Sequence, residues 1–134
     1  MRIFKVLGLV ILLGQSAISF GQTQGQLTDD SSNRLKSAET ELKTVYNKIL
    51  ETYKDDKEFI QALKESQDSW TKFRTLELKM MYPDRAPGYY GSSHQMCVND
   101  YLAELTKDRI KKLRTWLTGI EEGDVCGGTI KWKD

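Results

Sequence analysis

The chain has 134 residues, a length for one domain. Twenty Lys and Arg stand against 19 Asp and Glu, a net charge of +1, so the strong basic excess of a dedicated nucleic-acid binder is absent. Charged residues at 29% and apolar residues at 39% suit a folded domain with a polar surface, and two Cys with one His leave no room for a multi-ligand Cys/His zinc site.

Residues 1–21 differ from the rest. Arg2 and Lys5 form a short basic start, Val6 to Leu13 an apolar run, and Gly14 to Gly21 a stretch rich in small and polar residues. This is the order of a secretory signal peptide, with Ser19 and Gly21 as the small residues before a cut after Gly21. The apolar run is too short to cross ~30 Å of hydrocarbon, which takes ~20 residues. The mature chain, 22–134, is therefore expected to be exported, periplasmic or secreted, with no membrane span. Removing Arg2 and Lys5 leaves 18 basic against 19 acidic groups, net −1.

An oxidising compartment favours disulfides, and Cys97 and Cys126 are the only two cysteines. A bridge between them would close a loop of about 30 residues and contribute ~3–4 kcal/mol in the chain-entropy model. The competing reading is two free thiols in a metal or redox site, although the spacing is not C-x-x-C.

Gln22 to Leu27, rich in Gln, Gly and Thr, reads as part of a flexible leader over 22–30. Asp29, Asp30, Ser31 and Ser32 then offer N-caps. Leu35, Ala38, Leu42, Val45, Tyr46, Ile49, Leu50 and Tyr53 recur at gaps of three and four, predicting a first helix over roughly 31–54. A polar break at Lys54 to Lys57 supplies a fresh cap in Asp55 or Asp56. Phe59, Ile60, Leu63, Trp70, Phe73, Leu76 and Met80 predict a second helix over about 57–81, with Ser66 and Gln67 interrupting its apolar stripe and Pro83 stopping it.

Tyr82 to Ser93 holds both prolines, two glycines and three tyrosines and reads as an aromatic loop. Val98, Tyr101, Leu102, Leu105, Ile110, Leu113, Trp116 and Leu117 predict a third helix, capped by Ser92 or Ser93 and ended by Gly119. Such helices are not stable alone and must share a core. The expected fold is all-α, a three-helix antiparallel bundle over 31–134 with an up-down-up course and a C-terminal tail tethered by the disulfide.

The polar residues carry no strong catalytic signature. Glu77 with Arg74, or either with Arg109, is expected to pair at the bundle seam, a structural role. Ser92 or Ser93, His94 and Asp100 supply the residue types of a triad, but no nucleophile elbow is present and residues so close in sequence rarely form the geometry. Phosphate-binding, dinucleotide, zinc-protease and EF-hand motifs are absent. No cofactor or metal is expected. The basic run Lys107, Arg109, Lys111, Lys112 and Arg114 reads as a solvated face. The aromatic loop, with Arg85, Tyr89, Tyr90 and His94, is the best candidate for contact with a partner.

Three runs resemble a known family. Ala38-Glu-Thr-Glu-Leu42-Lys-Thr-Val-Tyr46 resembles the A-D-x-E-L-N-x-x-Y run of the LprI-like lysozyme-inhibitor family. Gln67-Asp-Ser-Trp70-Thr-Lys-Phe73-Arg74-Thr-Leu-Glu77 resembles its Q-x-x-W-x-x-[YF]-R-x-x-E-C motif. Gly91-Ser92, followed by Leu102-Ala-Glu-Leu105-Thr106-Lys-Asp-Arg109-Ile-Lys-Lys-Leu113, resembles its G-S … L-A-x-L-T-x-x-R-x-x-x-L run. The family's cysteines stand here as Leu78 and Tyr101, the loss of one bridge, and its N-terminal Cys is also missing, so that Cys97 and Cys126 look like a replacement staple.

The resemblance implies a small exported helical domain, with Leu42, Tyr46, Trp70, Phe73, Arg74, Glu77, Thr106 and Arg109 as structural motif residues. The activity it implies is binding of a protein partner, a lysozyme, whose cleft carries an acid pair that Arg85 and the tyrosines could cover. Two other readings stand beside it: an envelope interaction module without lysozyme activity, and a hydrolase using His94 or Glu77.

Overall fold

The computed structural model describes residues 23–133; the signal-peptide expectation for residues 1–21 lies outside the described residues. Three helices follow in order, α1 (Gln24–Thr52), α2 (Lys57–Met81) and α3 (His94–Thr118). α2 and α3 begin and end close to where the periodicity put them. α1 begins earlier, which corrects the flexible leader. Thr23 Oγ1 accepts from the Gln26 N–H at 3.2 Å, and Gln26 Oε1 accepts from the Thr23 N–H at 2.9 Å. This capping box satisfies two donors at the helix start and lets the Gln/Gly-rich stretch wind as helix.

At the start of α2, Asp56 accepts from the Phe59 N–H at 2.9 Å. Ser93 caps α3 without a side-chain bond to its backbone; its hydroxyl donates to Gln24 Oε1 at 3.3 Å and ties the starts of α1 and α3 together. α1 and α3 run parallel, because Ser31 meets Asn99 at one end and Tyr53 meets Trp116 at the other. They pack closely, while α2 runs back along them at a greater distance.

The apolar core gathers at one end. Leu42, Val45, Ile49 and Tyr53 of α1, Phe59 and Leu63 of α2, and Ile110 and Leu113 of α3 form one buried cluster, with Trp116 and Leu117 against it. Toward the other end the buried positions turn small or polar: Ser31 and Ala38 on α1, and Asn99, Ala103 and Thr106 on α3. Asn99 Nδ2 donates to Ser31 Oγ at 3.0 Å, and Ser31 donates to the Thr28 carbonyl at 2.7 Å, so these buried groups are satisfied.

The tail is not tethered by a disulfide. Cys97 and Cys126 are free thiols, the first half-buried and the second exposed. Cys97 lies in the first turn of α3, while the tail that carries Cys126 folds at the other end of that helix, about 32 Å away at 1.5 Å per residue. A disulfide needs Cα atoms within ~7 Å. The tail instead folds back at the far end of α3. Ile120 and Trp132 form an isolated parallel bridge, with the Ile120 N–H donating to the Lys131 carbonyl at 3.0 Å and the Lys133 N–H donating to the Ile120 carbonyl at 2.8 Å.

The buried Tyr53 clasps this return. Its hydroxyl donates to the Trp116 carbonyl at 3.0 Å and accepts from the Lys131 N–H at 3.2 Å. Gly119 makes the turn possible. Its φ is +74°, and a Cβ there would stand 3.0 Å from the Lys131 carbonyl oxygen.

Candidate functional site

The loop between α2 and α3 is a stacked aromatic cluster. Tyr82, at the end of α2, meets Tyr90 edge-on at 5.3 Å between centroids and His94 at 4.9 Å. Tyr90 stacks on His94 at 4.7 Å, and its hydroxyl donates to the Pro83 carbonyl at 2.6 Å. Tyr90 and His94 therefore hold the loop's shape. Tyr89 is 67% exposed, and the Arg85 guanidinium sits 5.9 Å from its ring centroid. Of the four expected contact residues, Arg85 and Tyr89 face solvent, while Tyr90 and His94 are half-buried beneath them.

The triad does not assemble. Ser93 bonds Gln24, and Asp100 accepts from both Nε and Nη2 of Arg34, at 2.9 and 2.7 Å. His94 Nδ1 is buried with no hydrogen-bond partner. Among the described residues no group of three or more His, Cys, Asp or Glu could hold a metal ion. Nor is any helix of the described residues long and apolar enough to cross a membrane.

The motif residues build the seam that carries α2. Trp70 is half-buried, with the Arg74 and Arg109 guanidinium carbons 5.3 and 5.9 Å from its ring centroid. Arg74 Nη1 donates to Thr106 Oγ1 of α3 at 2.9 Å and to Glu39 Oε1 of α1 at 3.1 Å. Thr106 is fully buried and donates in turn to the Leu102 carbonyl at 2.7 Å. Arg109 donates to Gln67 Oε1 at 3.1 Å and to Ser66 Oγ at 2.9 Å, and burial pushes its pKa down.

The expected pairing of Glu77 with an arginine is thus corrected. Arg74 takes its carboxylate from α1, a helix that the local spacing on α2 does not reach. Glu77 instead accepts from the Tyr101 hydroxyl at 3.3 Å. This contact crosses from α3 to α2 and joins Tyr101 to the residue just before Leu78. Burial, then the Glu77 carboxylate, pushes the Tyr101 phenol up, so it remains a donor.

Phe73 departs from the structural role given to the motif. It is 49% exposed, Leu76 63% and Met80 68%. From Leu63 on the core face, Phe73 and Met80 are displaced by about 80–100° around the helix at 100° per residue. Ser66 and Gln67 mark where the apolar stripe leaves the core face. Together with Met81 and Tyr89, these side chains make an apolar surface at the loop end of α2. The sequence signal was the polar interruption, which shows a break but not its direction.

The molecule is a single small helical bundle whose exposed large apolar side chains lie on the second half of α2 and its loop (Phe73, Leu76, Met80, Met81 and Tyr89) and, at the opposite end, on the tail (Val125 and Trp132), the kind of surface that contacts a partner. The family model for the lysozyme inhibitor LprI matches residues 17–113, and the chain belongs to that family. Neither the curated proteins nor the solved structures yielded a match.

Proposed function

We propose that this protein is an exported inhibitor of a lysozyme-type muramidase. Membership of the lysozyme-inhibitor family over residues 17–113 is the observation that carries the proposal. The signal-peptide pattern of residues 1–21 supports export. The contact surface is the 82–94 loop together with the exposed Phe73, Leu76 and Met80 of α2. Muramidase clefts carry a carboxylate pair. Arg85, held over Tyr89, brings a cation to such a pair, and the neighbouring apolar side chains cover the cleft rim. Tyr90 and His94 act from below by fixing the loop.

The test is peptidoglycan lysis by lysozymes of several classes as the protein is titrated in. Stoichiometric inhibition of at least one class is expected, with loss of inhibition in the double variant Arg85→Ala, Tyr89→Ala at unchanged helicity. Full activity of every class in the presence of folded protein would refute inhibition. Undiminished inhibition by the double variant would refute the loop as the contact surface.

A further inference from the structure

A second recess lies away from the loop, between α1 and α2. It measures about 260 Å³ and is lined by Glu39, Lys43, Tyr46, Gln67, Trp70 and Arg74, among others. This is below the ~300–1,000 Å³ of pockets for drug-sized ligands and suits a single ring with its substituents. Two of its lining side chains, Tyr46 and Trp70, are aromatic and half-buried, and the Arg74 and Arg109 guanidinium groups, over the Trp70 ring at 5.3 and 5.9 Å from its centroid, hold that ring in place.

Its polar groups are mostly donors without partners. The Lys43 ammonium, the Tyr46 hydroxyl and the Trp70 indole N–H make no hydrogen bond to any other described residue. Arg74 makes both of its bonds through Nη1, which leaves Nη2, and Gln67 accepts through Oε1, which leaves its amide N–H groups. The one carboxylate in the lining, Glu39, is already taken by Arg74. Burial, then Asp68, pushes the Tyr46 phenol up and keeps it a donor. Within the lining Lys43 and Arg74 stand against Glu39, and because Glu39 pairs with Arg74 the Lys43 ammonium is the lining charge left over.

A ligand that matches must have an apolar face for the rings, many acceptor oxygens for the donors, and a negative charge. A bare inorganic anion lacks the first, and an apolar molecule the other two. We propose that this recess binds one residue of a carboxylate-bearing saccharide, its ring against Tyr46 and Trp70 and its carboxylate toward Lys43 and Arg74. The site is separate from the loop, and its test needs no lysozyme.

The experiment is an NMR titration of the isotope-labelled protein, reading the indole N–H signals of Trp70, Trp116 and Trp132. The probes are N-acetylmuramic acid linked to N-acetylglucosamine, the neutral dimer of N-acetylglucosamine, and acetate. The carboxylated disaccharide is expected to move the Trp70 signal saturably and to leave those of Trp116 and Trp132 in place. The neutral dimer should bind about tenfold more weakly, and Lys43→Ala should weaken the carboxylated sugar by about tenfold, the scale of one charge-assisted hydrogen bond. Lys43 is exposed and unbonded, so that variant keeps the fold. A Trp70 signal unmoved by the disaccharide would overturn the proposal. Equal response to acetate would reduce the site to simple anion binding and overturn it as well, as would equal affinity in Lys43→Ala.

Discussion

Tyr53→Phe tests how the C-terminal tail is held. The hydroxyl is buried and makes two bonds, one to the last turn of α3 and one to the returning tail. Phenylalanine keeps the ring and its 4.6 Å contact with Phe59, so packing is retained. Each lost hydrogen bond costs about 0.5–1.5 kcal/mol, which gives about 2 kcal/mol for the pair. At ~2.1 cal/mol/K per residue of unfolding entropy, a domain of this size should lose about 8–9 °C in Tm.

The assay is thermal unfolding followed by circular dichroism, on wild type and variant, with and without reductant. The wild-type Tm is expected to be indifferent to reductant, whereas an intact bridge between Cys97 and Cys126 would contribute ~3–4 kcal/mol and its reduction would lower Tm by well over 10 °C. A Tyr53→Phe protein melting within 2 °C of wild type would refute the clasp. A large fall on reduction of the monomer would refute the separation of the two cysteines along α3.

Thr106→Val removes the buried acceptor of Arg74 and should cost about 1.5 kcal/mol in urea unfolding; the lower end of the range for a bond to a charged group applies because Glu39 remains. Leu76→Glu should leave stability within about 0.5 kcal/mol, since the side chain is 63% exposed, yet weaken lysozyme inhibition in the lysis assay. Stability should fall at alkaline pH. Tyr46 and Tyr82 are raised above the ordinary 10.0, mainly by burial, so the folded state holds their protons more tightly than the unfolded chain does. That contribution is complete below pH 10 and is lost as pH rises through the raised values. Denaturation across pH 8–12 with absorbance titration of the phenolates checks it.

Much of this molecule was legible because its helices are long and strongly periodic. Pro83 and Gly119 gave α2 and α3 their ends, and Asp56 gave α2 its start. The start of α1 was written as Thr23-x-x-Gln26, but composition drew attention away from the capping box. The cysteine pairing was not decided by the sequence, because the tail after α3 is long enough to run back along the helix and only its observed fold at the far end keeps the two thiols apart. The partner of Arg74 was not legible at all. Glu39 lies 35 residues away, and only the packing of three helices brings it near. Val98, Leu102 and Leu105 looked like core, but the parallel pairing of α1 and α3 turns Asn99, Ala103 and Thr106 inward instead.

The uneven distribution of apolar burial has a mechanical consequence. Amides in 42–53 and 110–117 sit over the dense cluster and should exchange only when the whole chain unfolds. Those in the second half of α2 are held by polar bonds to half-exposed side chains and should exchange through smaller openings. The molecule is thus stiff at the pole of the α1–α2 turn and more compliant along the second half of α2, beside a loop held by its stacked rings. Any adjustment required on meeting a rigid partner is drawn from that half of α2, and the rest of the bundle need not yield.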